Sequence, residues 1–180
     1  MDRVEPSDAA VAAAISAARV VVNSFGQYKD VIAKEIFNAK STGLVSDQKT
    51  LRSYHTSLRS HDAFEILLII WKESPFVTVD ACAVAGVTKT LDGKALTQSW
   101  LSRELCPNGP DDSFNVGPQE AARRHVGRII SAAENLGLLI LDREQKRDVP
   151  IFCTPKLHDI MSRLLILASI EMDYYYGSGQ

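Results

Sequence analysis

The sequence predicts a mainly α-helical protein that carries one small β-hairpin, and three observations predict it. Apolar residues recur at spacings of three and four through most segments. Two short apolar runs, Leu138 to Leu141 and Val149 to Cys153, flank a charged turn at Asp142 to Asp148. Between Gly117 and Thr154 a basic amphipathic helix runs through Leu136-Gly137-Leu138 into a strand, that turn and a second strand. That order is a winged helix. The expected architecture is a winged helix-turn-helix with N- and C-terminal dimerisation helices. Residues 1–59 form N-terminal helices, 60–154 the winged unit with an insertion at 88–116, and 155–180 a C-terminal helix and tail.

Ser7 can cap a first helix containing Val11, Ile15, Ala18, Val21, Val22 and Phe25. Gly26 interrupts it, and a second amphipathic stretch carries Val31, Ile32, Ile36 and Phe37 to the break at Ser41-Thr42-Gly43. Two apolar-faced helices ahead of the core need cover, from a local bundle or from a second copy of the chain. Ser46-Asp47 starts the next helix through Leu51, Tyr54 and Leu58, and Ser60 caps a helix to Glu73 that is apolar nearly all round. Such a helix belongs in the core. Ser74-Pro75 ends it, because the residue before proline is driven to extended geometry, and Phe76-Val77 can then make a short strand.

Thr78 reads as the cap of a helix that Gly86 terminates, a candidate supporting helix for a helix-turn-helix. Asp92-Gly93 is a turn signal, Lys94 to Leu105 a short helix with Leu96, Trp100 and Leu101 on one side, and Cys106 to Asn115 a loop. A second alignment makes this inserted helix the supporting one. The earlier segment is preferred, because its cap and its place after the buried helix fit better.

Gly117 at the cap position and Pro118 at the first helical position open the basic helix. At about 100° per residue, Ala122, Val126, Ile129, Ile130, Ala133 and Leu136 share one side, while Arg124 and Arg128 point away from it. Arg123 and His125 lie on opposite flanks. Ala121, Gly127 and Ser131 keep the outer face low, so that a DNA major groove can approach. Gly137 ends the helix. After the hairpin, Thr154 caps and Pro155 begins a last helix with a broad apolar face from Leu157 through Ile160, Met161, Leu164, Leu165, Leu167 and Ala168 to Met172. Its width exceeds what one small core needs. Tyr174 to Gln180 reads as a loose tail.

The run Arg128-Ile129-Ile130-Ser131-Ala132-Ala133-Glu134-Asn135-Leu136-Gly137-Leu138-Leu139, with the charged hairpin and Thr154 behind it, resembles the recognition helix and wing of the MarR family of bacterial regulators. With the helix from Asp62 to Glu73 and the segment from Thr78 to Val87, the resemblance spans Asp62 to Thr154. It implies a homodimer that binds double-stranded DNA as a transcription factor. Two departures stand out. The family's Asp-x-Arg pair in the wing is replaced near the tip by Lys146-Arg147-Asp148, and its short inter-helix turn by residues 88–116.

The formal net charge of −2 gives no global pull towards nucleic acid, so the DNA reading rests on local clustering. The residues expected at DNA are Arg123, Arg124, His125 and Arg128 on the helix and Arg143, Lys146 and Arg147 in the wing. Arg124 and Arg128 would enter the major groove; the wing residues would hold phosphate or a minor groove. Three acidic residues, Asp142, Glu144 and Asp148, neutralise that loop. An enzyme is not expected, since no phosphate loop, His-Glu-x-x-His or nucleophile elbow is present, and no cofactor or metal is implied. Cys82, Cys106 and Cys153 have no paired spacing, and with no apolar leader or bilayer-length run a cytoplasmic, membrane-free protein is expected. Cys82 and Cys153 are the candidates for oxidation sensing. A small-molecule effector would sit between the dimer helices and the winged unit. The competing class is a winged helix used for protein assembly alone, which the slight acidity and the insertion favour.

Overall fold

The computed structural model describes residues 8–74, 96–105, 116–143 and 149–177. Six helices and two strands lie within them: α1 (Asp8–Ser41), α2 (Gln48–Leu58), α3 (His61–Glu73), α4 (Gln98–Leu105), α5 (Val116–Asn135), β1 (Leu139–Leu141), β2 (Ile151–Cys153) and α6 (Pro155–Gly177). The fold is mainly helical with one two-stranded antiparallel sheet.

The N-terminal segment corrects the expected break at Gly26: α1 is one helix of 34 residues. A glycine inside a helix costs about 1 kcal/mol relative to alanine. Packing on both sides of it outweighs that cost, because Val20, Tyr28, Ile32, Ile36 and Ala39 keep one buried stripe in register across it. The helix does stop where the sequence indicates. Gly43 takes φ 73°, and the Gly43 and Val45 N–H groups bond back to the Lys40 and Ala39 carbonyls at 3.1 Å each. Asp47 then caps α2 by accepting the Thr50 N–H at 2.7 Å, and Ser60 caps α3 by accepting the Ala63 N–H at 3.1 Å.

The core is continuous across these elements. Tyr28 is fully buried, donates its hydroxyl to the Leu58 carbonyl at 2.6 Å and packs its ring 4.9 Å from Phe64. From α3, Ala63, Ile66, Leu67 and Ile70 are buried, with Phe64, Leu68, Ile69 and Trp71 packed against the same cluster. That agrees with a helix apolar nearly all round. Ser74 at its end is buried and extended. It accepts the Cys153 N–H at 3.1 Å and donates to the Ile151 carbonyl at 3.3 Å, fastening α3 to β2.

The hairpin pairs Leu139 with Cys153, Ile140 with Phe152 and Leu141 with Ile151. Gly137, at φ 69°, makes the turn from α5 into β1, and the Leu138 N–H bonds the Ala133 carbonyl at 2.9 Å. Thr154 closes the other end: its hydroxyl lies 2.9 Å from both the Gly137 and Leu138 carbonyls and accepts the Leu157 N–H at 3.2 Å. Beside β2, Thr97 forms an antiparallel bridge with Pro150, and the Ile151 N–H bonds the Leu96 carbonyl at 3.0 Å. So Leu96 and Thr97, expected inside a helix from Lys94, instead extend the sheet edge, and α4 begins at Gln98. The expected strand at Phe76-Val77, the helix at Thr78 to Val87 and the tip residues Lys146 and Arg147 lie outside the described residues.

The last helix runs antiparallel to α1. Asn23 Nδ2 donates to Glu171 Oε2 at 3.3 Å towards one end, and Lys156 pairs with Glu35 towards the other. This corrects the first part of the tail expected at Tyr174 to Gln180, since α6 continues through Gly177; residues 178–180 lie outside the described residues. Among the described residues no helix is long and apolar enough to cross a membrane.

Candidate nucleic-acid interface

Helix α5 is held on three sides. Val126, Ile129, Ile130, Ala132, Ala133 and Leu136 are buried in the core. On one flank His125 Nε2 lies 2.8 Å from Asp62 Oδ2 at the start of α3. On the other, Gln98 Nε2 of α4 donates to the Arg123 carbonyl at 2.7 Å. A Cβ added at Gly127 would lie 2.5 Å from that same Nε2. Gly127 therefore seats α4, which corrects its expected role on an open outer face.

Among the described residues of α5, the exposed ones are Arg123 on the flank and a stripe of Ala121, Arg124, Arg128, Ser131 and Asn135. The stripe positions recur at three and four, so they form one continuous helix face. The arginines differ in their partners. Arg124 is paired one turn back with Glu120 at 3.1 Å, and Arg143, just past β1, is paired with Glu134 of α5. Among the described residues, the Arg123 and Arg128 side chains have no acidic partner. Uncompensated positive charge therefore sits at Arg123 and Arg128.

The structure brings Arg123, Arg124 and Arg128 together and places Arg143 across a cleft from Arg123. His125 is turned towards α3, away from the exposed stripe. Asp62, Glu120 and Glu134 were not singled out in the sequence. The Glu120–Arg124 spacing of four was a legible signal, whereas Asp62–His125 and Glu134–Arg143 join elements and have none.

Two clefts flank these helices. One, of about 450 Å³, opens between the start of α4, α5 and the sheet. Its polar wall is Thr97, Gln98, Ser99, Arg123, Ser131 and Arg143; Ile130, Leu141, Val149 and Ile151 form the apolar one. The other, of about 500 Å³, lies between α1 and α6, where Asp30, Glu35 and Asp159 face Lys34, Lys156 and Arg163. Gln27 lines it with a buried Oε1 that has no hydrogen-bond partner among the described residues.

The other chemistry-bearing side chains do not converge. His61 packs its ring 5.6 Å from Phe25, and His158 lies 6.1 Å from Trp71. Among the described residues no group of three His, Cys, Asp or Glu could hold a metal ion. Cys153 is buried, and burial raises its thiol to a pKa of about 12, so it is protonated and inert at neutral pH. Cys82 and Cys106 lie outside the described residues.

Comparison of the chain with protein-family models, with curated proteins and with solved structures finds no match.

Proposed function

We propose that the chain is a winged helix-turn-helix protein that binds double-stranded DNA as a homodimer and regulates transcription. The observation that carries this reading is the exposed stripe of α5, with Arg124 and Arg128 outward on a helix backed by a hairpin and flanked by α4. A helix presented this way fits a major groove, and arginine there can pair with guanine edges or with phosphate. Position of α4 against α5, immediately after the Leu96-Thr97 sheet edge, favours α4 as the supporting helix over the Thr78 to Val87 segment. Arg143, with Lys146 and Arg147 beyond it, would serve the DNA backbone.

Dimerisation is supported by apolar surface along α1 and α6. Val22, Ile166 and Ile170 are 68%, 59% and 58% exposed, and Ile15, Val21, Leu165 and Leu167 add to the same two helices. Surface of this kind marks an interaction site. The small-molecule effector, expected between the dimer helices and the winged unit, would instead sit in the groove between α1 and α6, beside that apolar surface.

The test is Arg124→Ala combined with Arg128→Ala. Specific DNA binding should be lost, with secondary structure and oligomeric mass unchanged. Undiminished affinity for a selected duplex would end the DNA reading. The carboxylates beside Arg124 and Arg143 lower the positive charge of this face and favour one rival, an assembly module that uses α5 to dock a partner protein of mixed charge. Such a module would keep its partner while showing no sequence preference on DNA.

A further inference from the structure

We infer that the cleft between α4, α5 and the sheet is a binding site for an oxyanion attached to a small apolar body. Its polar and apolar walls face one space of about 450 Å³, within the range of small-molecule sites. Among the described residues that line it none is acidic, while two are arginines. The α1–α6 groove is different, with three acidic and three basic side chains in balance.

Three donors in the cleft, on Arg123, Ser99 and Ser131, are uncommitted. Arg123 has no acidic partner among the described residues, and the Ser99 and Ser131 hydroxyls have no hydrogen-bond partner there. Arg143 is held at the edge by Glu134, which fixes its position and halves the local charge excess. The Gln98 amide is occupied by the Arg123 carbonyl and serves as wall rather than ligand. Opposite the donors, Ile130 and Leu141 offer apolar surface that inorganic phosphate alone would leave unused. An oxyanion with an attached ring or sugar uses both walls. Two sources have that chemistry: the sugar-phosphate backbone of DNA, and a free organic acid or nucleoside monophosphate. For the first source the inference rests on the DNA reading; for the second it stands alone.

The experiment titrates the full chain with thymidine 5′-monophosphate and with benzoate, and separately with duplex DNA, following backbone amide shifts. For a free ligand, at least one small probe saturates, Ser99 and Ser131 shift, and Arg123→Ala weakens binding by about tenfold or more. Ser131→Asp, which adds a negative charge at an exposed position, abolishes it; Arg163→Ala in the other groove leaves it unchanged. For the DNA backbone, neither small probe saturates, but duplex DNA shifts the same amides and Arg123→Ala lowers the salt slope by about one. If neither the probes nor DNA engages Ser99 and Ser131, or if Arg123→Ala and Ser131→Asp change nothing, the inference is overturned. Saturation by a small probe with no DNA binding leaves the cleft standing and ends the DNA reading.

Discussion

Arg123 and Arg124 are neighbours in sequence with different electrostatic surroundings, and the difference decides what each can contribute. Glu120 already screens Arg124, so its exchange of that carboxylate for a phosphate or a base edge is close to an even trade. Arg123 and Arg128 make no such exchange. Single substitutions should therefore rank by compensation: Arg128→Ala should weaken DNA binding more than Arg124→Ala, and Glu120→Gln should strengthen it, measured as affinity at fixed salt. Two buried groups give a separate prediction. Burial raises the Cys153 thiol from its ordinary 9.0 to about 12 and also pushes up the Tyr28 hydroxyl, which hydrogen-bonds Leu58. Below pH 9 both groups are protonated, folded or unfolded, and their contribution is fully present. As pH rises from there the unfolded chain loses these protons first, so stability falls with pH up to about 12. Urea denaturation at increasing pH should show that decline, and Cys153→Ala should flatten its lower part. The native thiol should also resist alkylation at pH 8.

Between elements, the fit of α4 on α5 is set by one pair. Gly127→Ala gains about 1 kcal/mol of helix propensity and loses about the same by displacing the Gln98 amide from the Arg123 carbonyl. Alone it should be nearly neutral. In a Gln98→Ala background it should stabilise by about 1 kcal/mol, and this double-mutant cycle by chemical denaturation reads the coupling directly. Ser74 is the corresponding tie between α3 and β2. Ser74→Ala leaves the buried Cys153 N–H without its acceptor and should cost about 1–3 kcal/mol. Several of these elements were legible in the sequence because their signals are local: the caps Asp47, Ser60 and Thr154, the left-handed Gly137, and the two apolar runs that became β1 and β2. The continuity of α1 through Gly26 was not. A glycine reads as a break in one dimension, and only packing on both sides of it shows otherwise.

Across the whole molecule, α1 and α6 extend well beyond the core they share. At about 1.5 Å per residue, the 34 residues of α1 reach about 51 Å. The sequence disclosed the excess apolar face of α6 but not its pairing with α1, since the contact at Glu171 involves Asn23, 148 residues away. For the candidate site the same holds. The outward direction of Arg124 and Arg128 follows from helical periodicity alone, whereas the cleft and the seats of His125, Gly127 and Arg143 depend on contacts between elements. If α1 and α6 form the proposed dimer interface, the wild-type chain should run at twice its 19.8 kDa mass. Val22→Glu with Ile166→Glu should reduce it to a monomer by light scattering while preserving helicity.

The proposed function itself is tested most directly by selection from a pool of random duplex DNA at several salt concentrations. The account predicts an enriched sequence with two-fold symmetry, and affinity that falls steeply with salt because phosphates are neutralised at each half-site. Weak binding with no enriched sequence, unchanged by Arg124→Ala with Arg128→Ala, would contradict it.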